Sequence, residues 1–219
     1  CGDWPAIVVE DPRLALGDIA RAERKRIGMK VVGVTGSVGK STTKEMIACV
    51  LGSKYRVEKT PVNHNNDIGM PMAVLSMAED TEVAVLEMGM NHFREIAYLA
   101  SIALPDVAVI INIGTMHIEH LGSQEGILKA KLEILEGMRD SGKVILNGDD
   151  QLLWNVRNTG VEATYFGVRN PECRVLGSRV AETGGVLRFQ VSADGQGEEV
   201  TLKLYPLQLG RLMLISDRL

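Results

Sequence analysis

The 219-residue sequence contains no run of about 18 apolar residues, so it offers no helix long enough to span a bilayer. No signal peptide is visible. Cysteine is scarce: Cys1, Cys49 and Cys173 stand at no metal-ligand spacing, and an odd count of 3 argues against a disulfide framework. A reducing, cytoplasmic setting is the expectation. A dense Lys/Arg stripe is also missing. The one basic stretch, Arg21-Ala22-Glu23-Arg24-Lys25-Arg26, reads as a solvated helix face, and the net charge of −4 argues against a nucleic-acid partner. The first residue is Cys1 where a methionine is expected, so the chain reads as a piece of something longer. With 45% apolar and 24% charged residues, it can nonetheless bury an ordinary core, as one large domain or two small ones.

What the sequence has is alternation. Asp11–Ile27 carries apolar residues at helical spacing, and Gly28 punctuates it. Short apolar runs follow at Val31–Val34, Val83–Met88, Val107–Ile111 and Lys143–Leu146. Helical stretches at Thr42–Leu51, Met70–Met77, Glu95–Ile102 and Glu125–Met138 separate and follow them. β-Branched runs alternating with helices predict strands buried on both faces, hence an open, mostly parallel α/β sheet flanked by helices. Beyond about Gly160, runs at Ala163–Val168, Cys173–Ala181, Val186–Ser192 and Glu199–Tyr205 are split by glycine-rich turns. These predict a small antiparallel extension of the same domain.

The first apolar run enters Thr35-Gly36-Ser37-Val38-Gly39-Lys40-Ser41-Thr42, a phosphate-binding loop. Glycines let backbone N–H groups converge on one anion, and the following helix adds its positive end. Lys40 would reach the β- and γ-phosphates of a nucleotide, and the Ser41 hydroxyl would ligate Mg²⁺. Val34 occupies the place where the usual pattern has its first glycine, which points to a subset of nucleotide enzymes.

Ligands of open parallel sheets bind at the carboxyl ends of the strands, so the polar residues after each run carry most weight. Glu87 ends an apolar run, where a carboxylate needs a cation, and a Mg²⁺ on phosphate oxygens would supply one. His117 reads as a second metal ligand or a donor to a transferred phosphoryl group. Asn63, Asn65 and Asn66 exceed what helix capping needs and are candidates for substrate contact, with Asp67 read as the cap. Lys129 and Lys131, taken from spacing alone, read as surface lysines.

These stretches occur in the order found in one family. Val34 through Met46, Asn63 through Pro71, Glu87-Met88-Gly89, Asn112-Ile113-Gly114 with His117-Ile118-Glu119, Ala130 through Ile134 and Asn147-Gly148-Asp149-Asp150 resemble the central ATPase domain of the Mur ligases. The Thr43-Lys44-Glu45-Met46 and Asn65-Asn66-Asp67-Ile68-Gly69 segments resemble the branch that adds D-alanyl-D-alanine to UDP-N-acetylmuramoyl tripeptide in peptidoglycan precursor synthesis.

The resemblance implies an ATP- and Mg²⁺-dependent carboxylate–amine ligase working through an acyl phosphate, expected as a monomer. It implies Lys40 on the β- and γ-phosphates, Ser41 and Glu87 on one Mg²⁺, and His117 on a second. Lys131 matches the lysine that the family carbamylates into a metal-binding carboxylate, and Asn147 and Phe166-Gly167-Val168 match segments near the adenine. It divides the chain into residues 1–28, the tail of a UDP-substrate domain; 29–206, the ATP-binding domain; and 207–219, where a C-terminal domain is expected but the sequence diverges. Such a stretch is not expected to form the amide bond alone. A non-catalytic ATP-binding remnant and a sister ligase with another amino substrate are the alternatives.

Overall fold

Both ends of the first helix are written in the sequence. The Asp11 carboxylate accepts the N–H groups of Arg13 (2.8 Å) and Leu14 (3.3 Å), and Pro12 takes a first-turn position that needs no donor. Gly28, left-handed at φ 74°, closes α1 (Pro12–Ile27) with its N–H on the Arg24 carbonyl. The computed structural model describes residues 6–62 and 64–203. Cys1, Asn63, the 207–219 segment and the end of the Glu199–Tyr205 run lie outside these.

After α1 the chain alternates as expected. The elements are β1 (Lys30–Thr35), α2 (Lys40–Leu51), β2 (Val57–Lys59), α3 (Gly69–Leu75), β3 (Val83–Glu87), α4 (Glu95–Ala103), β4 (Val107–Ile110), α5 (Ile118–Leu121) and α6 (Gln124–Leu132). Then come β5 (Lys143–Asn147), α7 (Gln151–Trp154), β6 (Ala163–Gly167), β7 (Val175–Thr183), β8 (Val186–Ala193) and β9 (Gln196–Lys203). The strands among the described residues form one sheet in the order β2-β3-β1-β4-β5-β6-β7-β8-β9. Pairing is parallel as far as β6–β7 and antiparallel for β7–β8 and β8–β9, so the terminal meander continues the parallel sheet.

β1 lies between β3 and β4, and the chain leaves it first toward one edge and later toward the other. This reversal is the topological switch point at which open α/β sheets bind ligands. β1 is buried on both faces as a central parallel strand must be: Val31 packs with the α1, α3 and α4 side, Val32 and Val34 with α2. Burying each such valine stabilises by roughly 1.5–3 kcal/mol, and a charge at Val34 would break the strand that carries the loop.

Two expectations need correction. The Glu125–Met138 helix stops as α-helix at Leu132, and Glu133–Gly137 tightens into a 3₁₀ turn. The turn lies close against α4: a side chain at Gly137 would meet the Ala100 carbonyl oxygen at 2.3 Å. The basic stretch is also not a solvated face throughout. Arg24 is 1% exposed, and its guanidinium donates to the carbonyls of Ala103 (2.8 Å) and Leu104 (3.0 Å) and to Asp106 (3.1 Å). It fastens α1 to the end of α4 and the start of β4. Among the described residues, no helix is long and apolar enough to cross a membrane.

Candidate active site

The phosphate loop joins β1 to α2, and two glycines make it possible. A side chain at Gly36 would meet Ile111 at 2.3 Å, and Gly39 begins the helix in the left-handed conformation at φ 81°. Gly39 offers no side-chain cap, so the first-turn N–H groups of α2, those of Lys40, Ser41 and Thr42, face outward for an anion.

The N–H groups of Ser37 and Val38 point elsewhere. Both donate to Asn112 Oδ1, at 2.9 and 3.0 Å, and Asn112 Nδ2 returns a hydrogen bond to the Val38 carbonyl at 2.9 Å. The Ser37 hydroxyl meanwhile accepts the Gly114 N–H at 2.8 Å. The segment leaving β4 therefore clasps the phosphate loop. Thr35 is fully buried and donates its hydroxyl to the Met88 carbonyl at 2.9 Å, so it ties β1 to the end of β3.

Lys40 folds over the loop it follows, with Nζ donating to the carbonyls of Gly36 (3.0 Å) and Ser37 (3.3 Å). Burial lowers its pKa, against the opposing pull of Glu87. Ser41 and Glu87 come together as expected: Ser41 Oγ donates to Glu87 Oε2 at 2.8 Å. Asn65 Nδ2 donates to the other carboxylate oxygen at 2.9 Å, which brings the asparagine loop into the site. Glu87 itself is 3% exposed.

The chain also supplies this carboxylate with a cation of its own. Lys44, wholly buried on α2, places Nζ 3.8 Å from Glu87 Oε2. Lys44 carries no role in the sequence reading. The signal was available, since it falls one turn after Ser41 and one before Ala48, on the face of α2 that turns inward.

His117, left-handed at φ 64°, leads into α5 and shares with Lys40, Asn65 and Asn66 the lining of a cavity of about 660 Å³. The lysines of α6 part company: Lys129 is exposed, and Lys131 is 3% exposed. Desolvation, with the positive charge of Lys40 second, pushes the Lys131 pKa down to about 7. Asp67 is not the cap of α3. Asn66 Oδ1 takes the N–H groups of Ile68 (3.2 Å) and Gly69 (2.8 Å), while Asp67 pairs with Arg13. Asn147 sits at the end of β5, where its amide holds the Ile111 carbonyl and the Asp149 N–H, both at 2.9 Å. Asp149 in turn accepts the N–H groups of Val168, Arg169 and Asn170, which shapes the turn after β6.

Among the described residues, no three His, Cys, Asp or Glu side chains assemble into a metal cage. Ser41 and Glu87 do offer two hard oxygens side by side, a donor set that suits Mg²⁺ when phosphate oxygens and water complete the shell.

Residues 34–207 match the family model of the Mur ligase middle domain. The chain belongs to the Mur ligase family. A UDP-N-acetylmuramoyl-tripeptide–D-alanyl-D-alanine ligase of Bacillus subtilis (strain 168) is 50% identical over 164 residues, covering 75% of this chain and 36% of that protein. MurF from Acinetobacter baumannii superposes with a TM-score of 0.83 at 32% identity, covering 94% of this chain and 45% of its own. MurF ligase from Thermotoga maritima, solved in complex with ADP, gives a TM-score of 0.83 at 30% identity, covering 97% of this chain and 50% of its own. The chain thus spans about a third to half the length of these Mur ligases.

Proposed function

We propose that this domain binds ATP with Mg²⁺ and forms the nucleotide end of a ligase that joins D-alanyl-D-alanine to UDP-N-acetylmuramoyl tripeptide. The observation that carries the reading is the 2.8 Å contact of Ser41 with Glu87, set beside Lys40 at the mouth of the phosphate loop. The names of the relatives support the two substrates, and the ADP of the Thermotoga maritima relative supports the nucleotide. A cytoplasmic setting belongs to the same reading, and the free thiols of Cys49 and Cys173 fit it.

In the first step an oxygen of the tripeptide carboxylate attacks the γ-phosphorus of ATP, and ADP leaves with the bridging oxygen. The amine of D-alanyl-D-alanine then attacks the acyl carbon of the resulting acyl phosphate. The tetrahedral intermediate collapses to the amide, inorganic phosphate departs, and the amine proton is released. Lys40 and the first-turn N–H groups of α2 bind the β- and γ-phosphates and spread their charge, with Thr42 alongside and Asn147 on the adenine side. Asn65 and Asn66, together with Asn63, orient the tripeptide end.

Ser41 and Glu87 would hold one Mg²⁺, which would supply charge neutralisation to the phosphate oxygens. A second would be held by His117 together with Lys131. With its pKa pushed down to about 7, Lys131 is in part a neutral amine near neutral pH, which would add CO₂ and release one N–H proton, leaving a carbamate with a pair of metal-binding oxygens.

Calorimetric titration of ATP into this chain, with and without Mg²⁺, tests the reading. Ser41→Ala and Glu87→Gln should each abolish most of the metal-dependent gain in affinity. A gain unchanged in both variants overturns the assignment.

A further inference from the structure

Lys44 lies in the Thr43-Lys44-Glu45-Met46 segment that follows the loop, and nothing in the proposed chemistry uses it. Its surroundings are unusual for a lysine. It is 0% exposed, and Nζ donates to the Thr60 carbonyl at 2.6 Å. Glu87 Oε2 stands at 3.8 Å and Glu45 Oε1 at 3.6 Å. Glu45 is partly exposed and also pairs with Lys59 at the surface, which leaves Glu87 as the buried partner of Lys44.

Thr60 closes the arrangement. Its hydroxyl accepts the Glu87 N–H at 3.0 Å, and its own N–H reaches the Val85 carbonyl at 3.1 Å. Lys44 therefore meets Glu87 twice, directly at the carboxylate and through Thr60 at the backbone.

We infer that Lys44 is a positioning residue for Glu87, holding its carboxylate toward Ser41 and the nucleotide-bound metal. The physical reason is the fixed geometry of the pair. A buried carboxylate held only by the Ser41 hydroxyl and the Asn65 amide could follow either of them if it moved. An ammonium anchored to Thr60 removes that freedom and balances the charge before any metal arrives. Neither Lys40 nor Lys131 can substitute for it: Lys40 is bound to the loop carbonyls, and Lys131 lies on α6.

This inference rests on the proposed Mg²⁺–ATP site. Its test is a double-variant cycle on the 219-residue chain, using Lys44→Met and Glu87→Gln, with ATP and Mg²⁺ as the probes. Partners that orient a metal ligand change metal affinity by about 10- to 100-fold when removed. Lys44→Met should therefore weaken Mg²⁺-dependent ATP binding by about that factor, and leave metal-free ATP binding within about twofold. In the Glu87→Gln background the same substitution should cost nothing further. Unfolding of the nucleotide-free chain gives a second readout, in which the two substitutions should be non-additive.

Equal losses in both backgrounds, or an equal loss of metal-free binding, would mean that Lys44 supports only the fold, and the inference fails. Lys44→Gln, which keeps a donor for the Thr60 carbonyl, replaces Lys44→Met if that variant does not fold. If the unsubstituted chain shows no Mg²⁺-dependent ATP binding, the site assignment itself fails, which is a distinguishable result.

Discussion

Asn112 and Val38 hold each other by two hydrogen bonds, Val38 N–H to Oδ1 at 3.0 Å and Nδ2 to the Val38 carbonyl at 2.9 Å. The same oxygen takes the Ser37 N–H, so a single side chain at the end of β4 sets the shape of half the phosphate loop. Asn112→Ala removes the side-chain acceptor of both N–H groups, while the Ser37 N–H keeps the Asn112 backbone carbonyl at 3.2 Å. It should cost about 0.5–1.5 kcal/mol of stability and weaken ATP binding, because the loop must then be ordered by the ligand. Denaturant unfolding and calorimetry check this together. Full ATP affinity in a destabilised variant would mean that the clasp does not shape the loop.

Lys131 gives a prediction with a defined pH window. Its folded pKa of about 7 lies well below the ordinary lysine value of 10.5. Between these values the unfolded chain holds a proton that the folded chain has released, so stability rises with pH across this window. Below about pH 7 both states are protonated, and the full penalty of the buried charge stands. Lys131→Met should therefore stabilise the ligand-free chain by a few kcal/mol below pH 7, and the gain should fade toward pH 10. Parallel unfolding curves from pH 6 to 10 read this out. A stabilisation independent of pH would contradict it.

Arg94 and Glu133 make a separable pair of predictions. Arg94 is left-handed at φ 75°, and its N–H donates to both Glu133 oxygens at 2.9 Å, while Ala97 N–H reaches the same carboxylate at 3.3 Å. Glu133 thus caps α4 from a distant turn. Glu133→Ala should destabilise by about 1–2 kcal/mol, as the loss of a cap does. Arg94→Gly relieves a left-handed backbone worth about 1–2 kcal/mol, and gives up an exposed pair with Glu136 worth about 0–1 kcal/mol and about 0.5–1 kcal/mol of backbone entropy. Its net effect should be near zero, and thermal melts of the two variants should differ accordingly. A large loss in Arg94→Gly would show that the arginine side chain is structural.

The alternation of apolar runs with helices made the parallel sheet legible, because central strands must be apolar on both faces. The loop, Ser41, Glu87 and His117 were legible because the carboxyl ends of such strands are where polar residues converge. Lys44 and Arg24 were hidden for one reason: a lysine or arginine on a helix reads as solvated until its partners, Thr60 with Glu87 and Asp106 with two carbonyls, are brought in from distant sequence. Lys129 and Lys131 show the limit of spacing. Two residues apart on one helix, they face opposite environments, and the resemblance singled out the one that is buried. Asn66, not Asp67, accepts the N–H groups entering α3, and Asp67 pairs instead with Arg13 from a helix far back in the chain.

Calorimetry of ATP with Mg²⁺, on the chain and on Lys40→Ala, decides whether the Gly36–Ser41 loop is an ATP site. Saturable binding to the chain is expected, with affinity lower by about 10- to 100-fold in the variant, the worth of a charge-assisted contact to phosphate. Equal affinity in the two proteins would contradict it.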